Sequence, residues 1–138
     1  MIRTITVVLV LAGAAQAAGL KSGNPELKSA GPLTFGPPGI LFIADSTAAA
    51  VIAVDTGDTK GNPAKANITV KGINKKIAGL LGTTADKILV NDLAVNPASG
   101  NVYLSVSRGR GPDARPVLLK VDTSGKLSVV SLKNVRHA

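Results

Sequence analysis

A stretch of this chain returns about sixty residues later, and no single residue limits the fold as much as that recurrence does. Leu33-Thr34-Phe35-Gly36-Pro37-Pro38-Gly39-Ile40-Leu41-Phe42-Ile43-Ala44 reappears as Leu93-Ala94-Val95-Asn96-Pro97-Ala98-Ser99-Gly100-Asn101-Val102-Tyr103-Leu104-Ser105, with one more turn residue in the second copy. Val51-Ile52-Ala53-Val54-Asp55-Thr56 then matches Leu118-Leu119-Lys120-Val121-Asp122-Thr123. The offset grows from 60 to 67 residues, so the extra residues fall in the middle loop of the second copy.

Within each copy, short β-rich runs alternate with Gly, Pro and Asn, the pattern of antiparallel strands. The runs are Leu33 to Phe35, Ile40 to Asp45, Val51 to Thr56 and Ala66 to Lys71, then Asp92 to Val95, Asn101 to Ser107, Pro116 to Thr123 and Leu127 to Leu132. Between the copies, Ile77, Leu80 and Leu81 have helical spacing after Asn74, a candidate N-cap, and Gly82 ends the run. A second turn is expected at Thr83, where Thr83 and Asp86 have capping-box spacing. Four sequential strands in a unit of this size correspond to one blade of a β-propeller. The expected fold is therefore all-β, two four-stranded antiparallel blades. Blade 1 spans residues 33–72, a short helical insertion 73–90 and blade 2 residues 91–132, with an extended leader at 18–32 and a tail at 133–138.

The motifs also resemble a known family. Gly39-Ile40-Leu41-Phe42-Ile43-Ala44-Asp45-Ser46, followed by Val51-Ile52-Ala53-Val54-Asp55-Thr56, is similar to the YVTN and NHL type of propeller repeat. There a Gly, an aromatic residue, an Ala-Asp or Thr-Asn pair and a later Val-x-Val-Asp mark the second and third strands. Gly100-Asn101-Val102-Tyr103-Leu104-Ser105 follows the pattern more loosely, with Val106 where the first copy has Asp45, and neither copy has the Trp-Asp or Gly-His pairs of WD repeats. Two blades cannot close a ring, so the chain is read as the N-terminal fragment of a larger propeller of about six to eight blades; assembly of several copies into one ring is the alternative.

Residues 1 to 17 read as a secretory signal. Arg3 supplies the positive start, Ile5 to Ala12 the apolar run, and Ala15-Gln16-Ala17 the small-x-small cleavage site. The run is too short to span hydrocarbon, which takes about 20 residues. The mature chain is thus expected to be secreted or periplasmic, with no membrane span after signal removal. The absence of Cys excludes a disulfide framework, a thiolate metal site, a thiol enzyme and a lipid-anchored lipoprotein.

Removing residues 1 to 17 removes one cation from a chain of formal charge +8, which suggests an anionic small molecule or protein as partner. Nucleic acid is not expected, because Phe35, Phe42 and Tyr103 are the only aromatics and the Lys residues are dispersed. In a meander, connections alternate ends. Residues 46–50, 72–90 and 108–115 then share one face, and 36–39, 57–65, 96–100 and 124–126 the other. The first face has the long insertions, where binding residues concentrate. It carries Arg108, Arg110 and Arg115, a Gly-spaced basic loop able to hold a carboxylate, sulfate or phosphate, with a solvated hairpin loop as the plainer account. Asn91 and Asp92, entering an innermost strand, and Asp45, ending an outer one, are candidate Ca²⁺ ligands, although turn and cap roles explain them as well. Asp55 and Asp122 recur beside turns and read as turn formers.

No catalytic residue emerges. The chain has no Gly-x-Ser-x-Gly elbow, no Walker loop and no His-Glu-x-x-His, and its single His is His137. The expected role is an exported binding or interaction module with a basic loop face, completed by further blades or other subunits. The alternative is a propeller hydrolase of the gluconolactonase or lactonase type with a metal in the central channel.

Overall fold

A computed structural model describes residues 19–138, and the expected signal at residues 1 to 17 lies outside them. The described chain is mostly β. In order it forms β1 (Lys21–Gly23), β2 (Leu33–Phe35), β3 (Ile40–Asp45), β4 (Ala50–Asp55), α1 (Ile73–Leu81), β5 (Ile88–Val95), β6 (Val102–Arg108), β7 (Arg115–Val121), β8 (Leu127–Val129) and β9 (Val135–His137). All pairings are antiparallel and make two sheets, one ordered β1-β9-β4-β3-β2 and the other β5-β6-β7-β8. Both copies of the duplicated stretch form hairpins, β2 with β3 and β5 with β6.

Alternation along the strands sorts side chains into three layers. Leu41 and Ile43 on β3 face Val54 and Ile52 across the ladder, and all four point toward the second sheet. There they meet Tyr103, Leu118 and Ala94. Tyr103 packs edge-on against Phe35 with ring centroids 5.1 Å apart, a contact that contributes about 1 kcal/mol beyond the area it buries. Leu104, Val106, Leu119 and Val121 point the other way, onto Ile77 and Ala78 of α1 and onto Ile68 and Val70 before it. The order is first sheet, second sheet, then helix with its leading segment. Gly82 ends α1 in the left-handed conformation, φ 68°, as its position suggests, whereas the residue before the helix is Gly72 and Asn74 lies inside the first turn. The second turn covers Ala85–Lys87, and the Thr84 hydroxyl donates to Asp86 at 2.5 Å.

Three segments differ from the sequence reading. Ala66 to Lys71 forms no strand, although its burial alternates as a strand's would. The place beside β4 is taken by β9, from the segment expected as a tail, with the Ala53 and Ala138 amides and carbonyls bonded reciprocally at 2.9 and 3.0 Å. β1, in the expected leader, then pairs with β9, so segments from opposite ends of the described chain lie side by side in the first sheet. The physical reason is on the third layer. Ile68 and Val70 are needed to cover the second sheet, and Val135 supplies an inward apolar side chain at the β4 edge in their place.

Candidate functional site

The loop faces fall as strand alternation requires. At the end with the long insertions, Arg108 and Arg115 stand opposite one another at the β6–β7 turn but diverge in role. Arg108 Nε donates to the Leu81 carbonyl at 3.0 Å, satisfying an acceptor left free at the end of α1. Arg110 Nε donates to the Asp86 carbonyl at 2.8 Å. Arg110 and Lys87 line a hollow of about 350 Å³ with Leu89, Ser107, Gly109 and Gly111. The Gly109 amide is bonded to the Lys87 carbonyl at 2.8 Å, which ties the two sides of the hollow together. Arg115 lines a separate hollow of about 270 Å³ near Glu26 and Lys133, so the three arginines do not form one cluster.

Charge in the first hollow is unbalanced. Among the described residues the ion pair within 4.0 Å is Arg136 with Asp55, on the first sheet, so neither Lys87 nor Arg110 is paired. The nearby Asp86 carboxyl is held below the ordinary carboxylate range, first by the Thr84 hydroxyl, then by its own main-chain amide and the charges of Lys87 and Arg110. A guanidinium fixed through Nε presents its remaining N–H donors as a fork suited to carboxylate or phosphate oxygens.

Asp45, Asn91 and Asp92 lie at this end too, each hydrogen-bonded to the segment that precedes or includes β2. Asp45 is buried, 1% exposed, and its carboxylate accepts from the Lys28, Ser29 and Ala48 amides and the Ser29 hydroxyl at 2.7 to 3.0 Å. Burial alone would raise its pKa; these donors outweigh burial and lower it. Asp92 accepts from the Leu33 amide at 2.7 Å, and the Asn91 amide donates to the Ala30 carbonyl and Ser107 hydroxyl at 2.9 Å. The three side chains thus pin segment 28–33 between the sheets. Among the described residues no three His, Cys, Asp or Glu side chains gather as a metal shell. Beside Asn91 a second hollow of about 350 Å³, lined by Ser29, Ser46 and Ser107, adjoins the basic one through Ser107. Asp55 and Asp122 bond to amides two to four residues ahead, as turn formers do.

A second carboxylate network, made by side chains rather than main-chain amides, lies at the opposite end and was not singled out in the sequence. Asp58, in the loop after β4, accepts from the Ser99 hydroxyl and the Tyr103 hydroxyl at 2.9 Å and from the Asn101 amide at 3.0 Å, while the Asn96 amide donates to its carbonyl at 2.7 Å. Burial pushes the Asp58 carboxyl up, but the donors from Asn101, Tyr103 and Ser99 hold it below the carboxylate range. Burial, then the hydrogen bond to Asp58, raises Tyr103 well above an ordinary phenol. The loop is pressed onto the β5–β6 turn closely enough that a Cβ on Gly61 would come 2.7 Å from the Ser99 carbonyl, and one on Gly100 2.8 Å from Pro63 Cα. The signal available in the sequence was asymmetry between the copies: Asn96 stands where the first copy has Gly36, Ser99 is the extra turn residue, and Asn101 stands where the first copy has Ile40.

No family model, curated protein or solved structure matches this chain. Among the described residues no helix is long and apolar enough to cross a membrane.

Proposed function

We propose that the mature chain is an exported binding and interaction module of propeller type, in which the two sheets act as neighbouring blades of a YVTN or NHL kind. Further blades, from a longer chain or from other copies, complete the ring, and the hollow at Lys87 and Arg110 takes an anionic group of the ligand. The stacking of the β2-β3-β4 run of the first sheet on the sequential β5-β6-β7-β8 meander, with β2 beside β5, supports the blade reading, since innermost strands of adjacent blades approach in this way. The observation that carries the ligand reading is the pair of cations without ion-pair partners on either side of one hollow, with hydroxyl and amide groups in the adjoining one.

The test is a titration of the ¹⁵N-labelled chain with sodium phosphate at constant ionic strength. Saturable amide shifts are expected at Ser107, Gly109 and Gly111. Combining Lys87→Gln with Arg110→Gln should weaken binding by on the order of tenfold, because charge-assisted bonds are lost. Shifts that fail to saturate, or that persist in the double variant, defeat the reading.

A further inference from the structure

The other face of the second sheet holds a site of different chemistry, and its origin is a mismatch of lengths. α1 has nine residues and is about 13 Å long, whereas the eight residues of β5 extend about 27 Å. The C-terminal turn of the helix is anchored at the Arg108 end of β6, so its first residues reach only the middle of the sheet. Beyond them the sheet is covered by segment 66–72 alone. The result is a hollow of about 400 Å³. Ile68 and Val70 form one wall, Leu93 and Val102 belong to the floor, and Ile73 and Asn74 close one end; Asn74 supplies the only polar side chain. Leu93 is 54% exposed.

The segments that form its wall and end carry charge of one sign. Lys65, Lys71, Lys75 and Lys76 are all exposed, and no Asp or Glu occurs between Asp58 and Asp86. Small-ligand sites are apolar concavities of about 300–1,000 Å³ with few polar groups to fix orientation, and this hollow has that size and lining. An aliphatic body satisfies the walls; a single negative head satisfies the lysines and the Asn74 amide.

We propose that this hollow binds a monomeric anionic amphiphile, a medium-length acyl chain bearing one carboxylate or comparable head group. The site is separate from the hollow at Lys87 and Arg110 and does not depend on it. A concavity enclosed on one side by segment 66–72 suits one chain rather than a flat lipid surface.

The experiment is calorimetric titration of the full chain with a series of fatty acid anions below their micellar concentrations, with decyltrimethylammonium as the cationic counterpart of decanoate. Affinity should rise about fourfold per added methylene until the hollow is filled. Decanoate should bind more tightly than the ammonium compound. Leu93→Asp, at an exposed position that leaves the core intact, should weaken decanoate by on the order of tenfold or more. Lys71→Gln, Lys75→Gln and Lys76→Gln combined should weaken it about fivefold, the sum of three exposed charges. Equal binding of both head groups, or binding unaffected by Leu93→Asp, overturns the proposal. Binding to phosphatidylglycerol vesicles without binding of monomeric decanoate overturns it as well.

Discussion

Asp58 shows how much a single side chain can do in a chain with so few charges inside. Its carboxylate ties the loop after β4 to three side chains of the β5–β6 hairpin, and so joins the first duplicated unit to the second. Asp58→Ala leaves the Ser99, Asn101 and Tyr103 donors without their acceptor, with the Tyr103 hydroxyl in the interior; the expected loss is about 3 kcal/mol. Tyr103→Phe removes one donor and leaves the carboxylate two, and should cost about 1 kcal/mol. Both are read from urea unfolding midpoints. The pH dependence has a defined sign. Asp58 and Asp45 both have folded pKa values below their unfolded ones, so their contribution is complete above the unfolded value of about 3.9 and is lost as pH falls through it toward the folded values. Stability should therefore drop below about pH 4, and Asp58→Asn should flatten that slope. An unchanged slope in the variant would mean that the carboxylate does not carry the effect.

At the scale of elements, β2 and β3 were legible to the residue, because apolar alternation and the Gly-Pro turn between them are local signals. α1 was legible from the helical spacing of Ile77, Leu80 and Leu81 and from Gly82 at its end, but not its start, since Asn74 lies inside the first turn instead of capping it. The identity of the strand beside β4 was not, since Ala66 to Lys71 and Val135 to His137 both alternate, and only competition for two different surfaces decides between them. The candidate site was legible in part: the shared end of Asp45, Asn91 and Arg108 followed from counting strands, but their partners are carbonyls and amides of segments 28–33 and 81–82, which composition does not reveal. This assignment is testable by hydrogen exchange. The amides of Asn67 to Lys71 have no main-chain partner among the described residues and should exchange fast, while those of Ala53 and Ala138 should be protected. Ending the chain after Lys133 removes Val135 from the core and bares the β4 edge, so it should lower the unfolding midpoint markedly, whereas Thr69→Pro should be tolerated.

For the molecule as a whole, the three layers leave the two outer surfaces unequal. α1 and segment 66–72 screen the second sheet over part of its outer side and leave Leu93 exposed, whereas nothing among the described residues covers the outer side of the first sheet. There Phe42 lies against Gly36, Ala44 and Ala53 are half-buried, and Val51 is 67% exposed. An apolar sheet surface of this kind is where an adjacent blade or a second copy would pack. Electrostatics opposes the encounter of two copies, because each carries a formal +8. The two effects respond oppositely to salt: added salt screens the repulsion and leaves apolar burial in place. Sedimentation should consequently show self-association that grows with both protein concentration and ionic strength. Val51→Lys should abolish it while changing stability by no more than about 0.5 kcal/mol, as expected for an exposed side chain. Association that weakens with salt would place the contact on the charged loops, and association that survives Val51→Lys would place it off the first sheet.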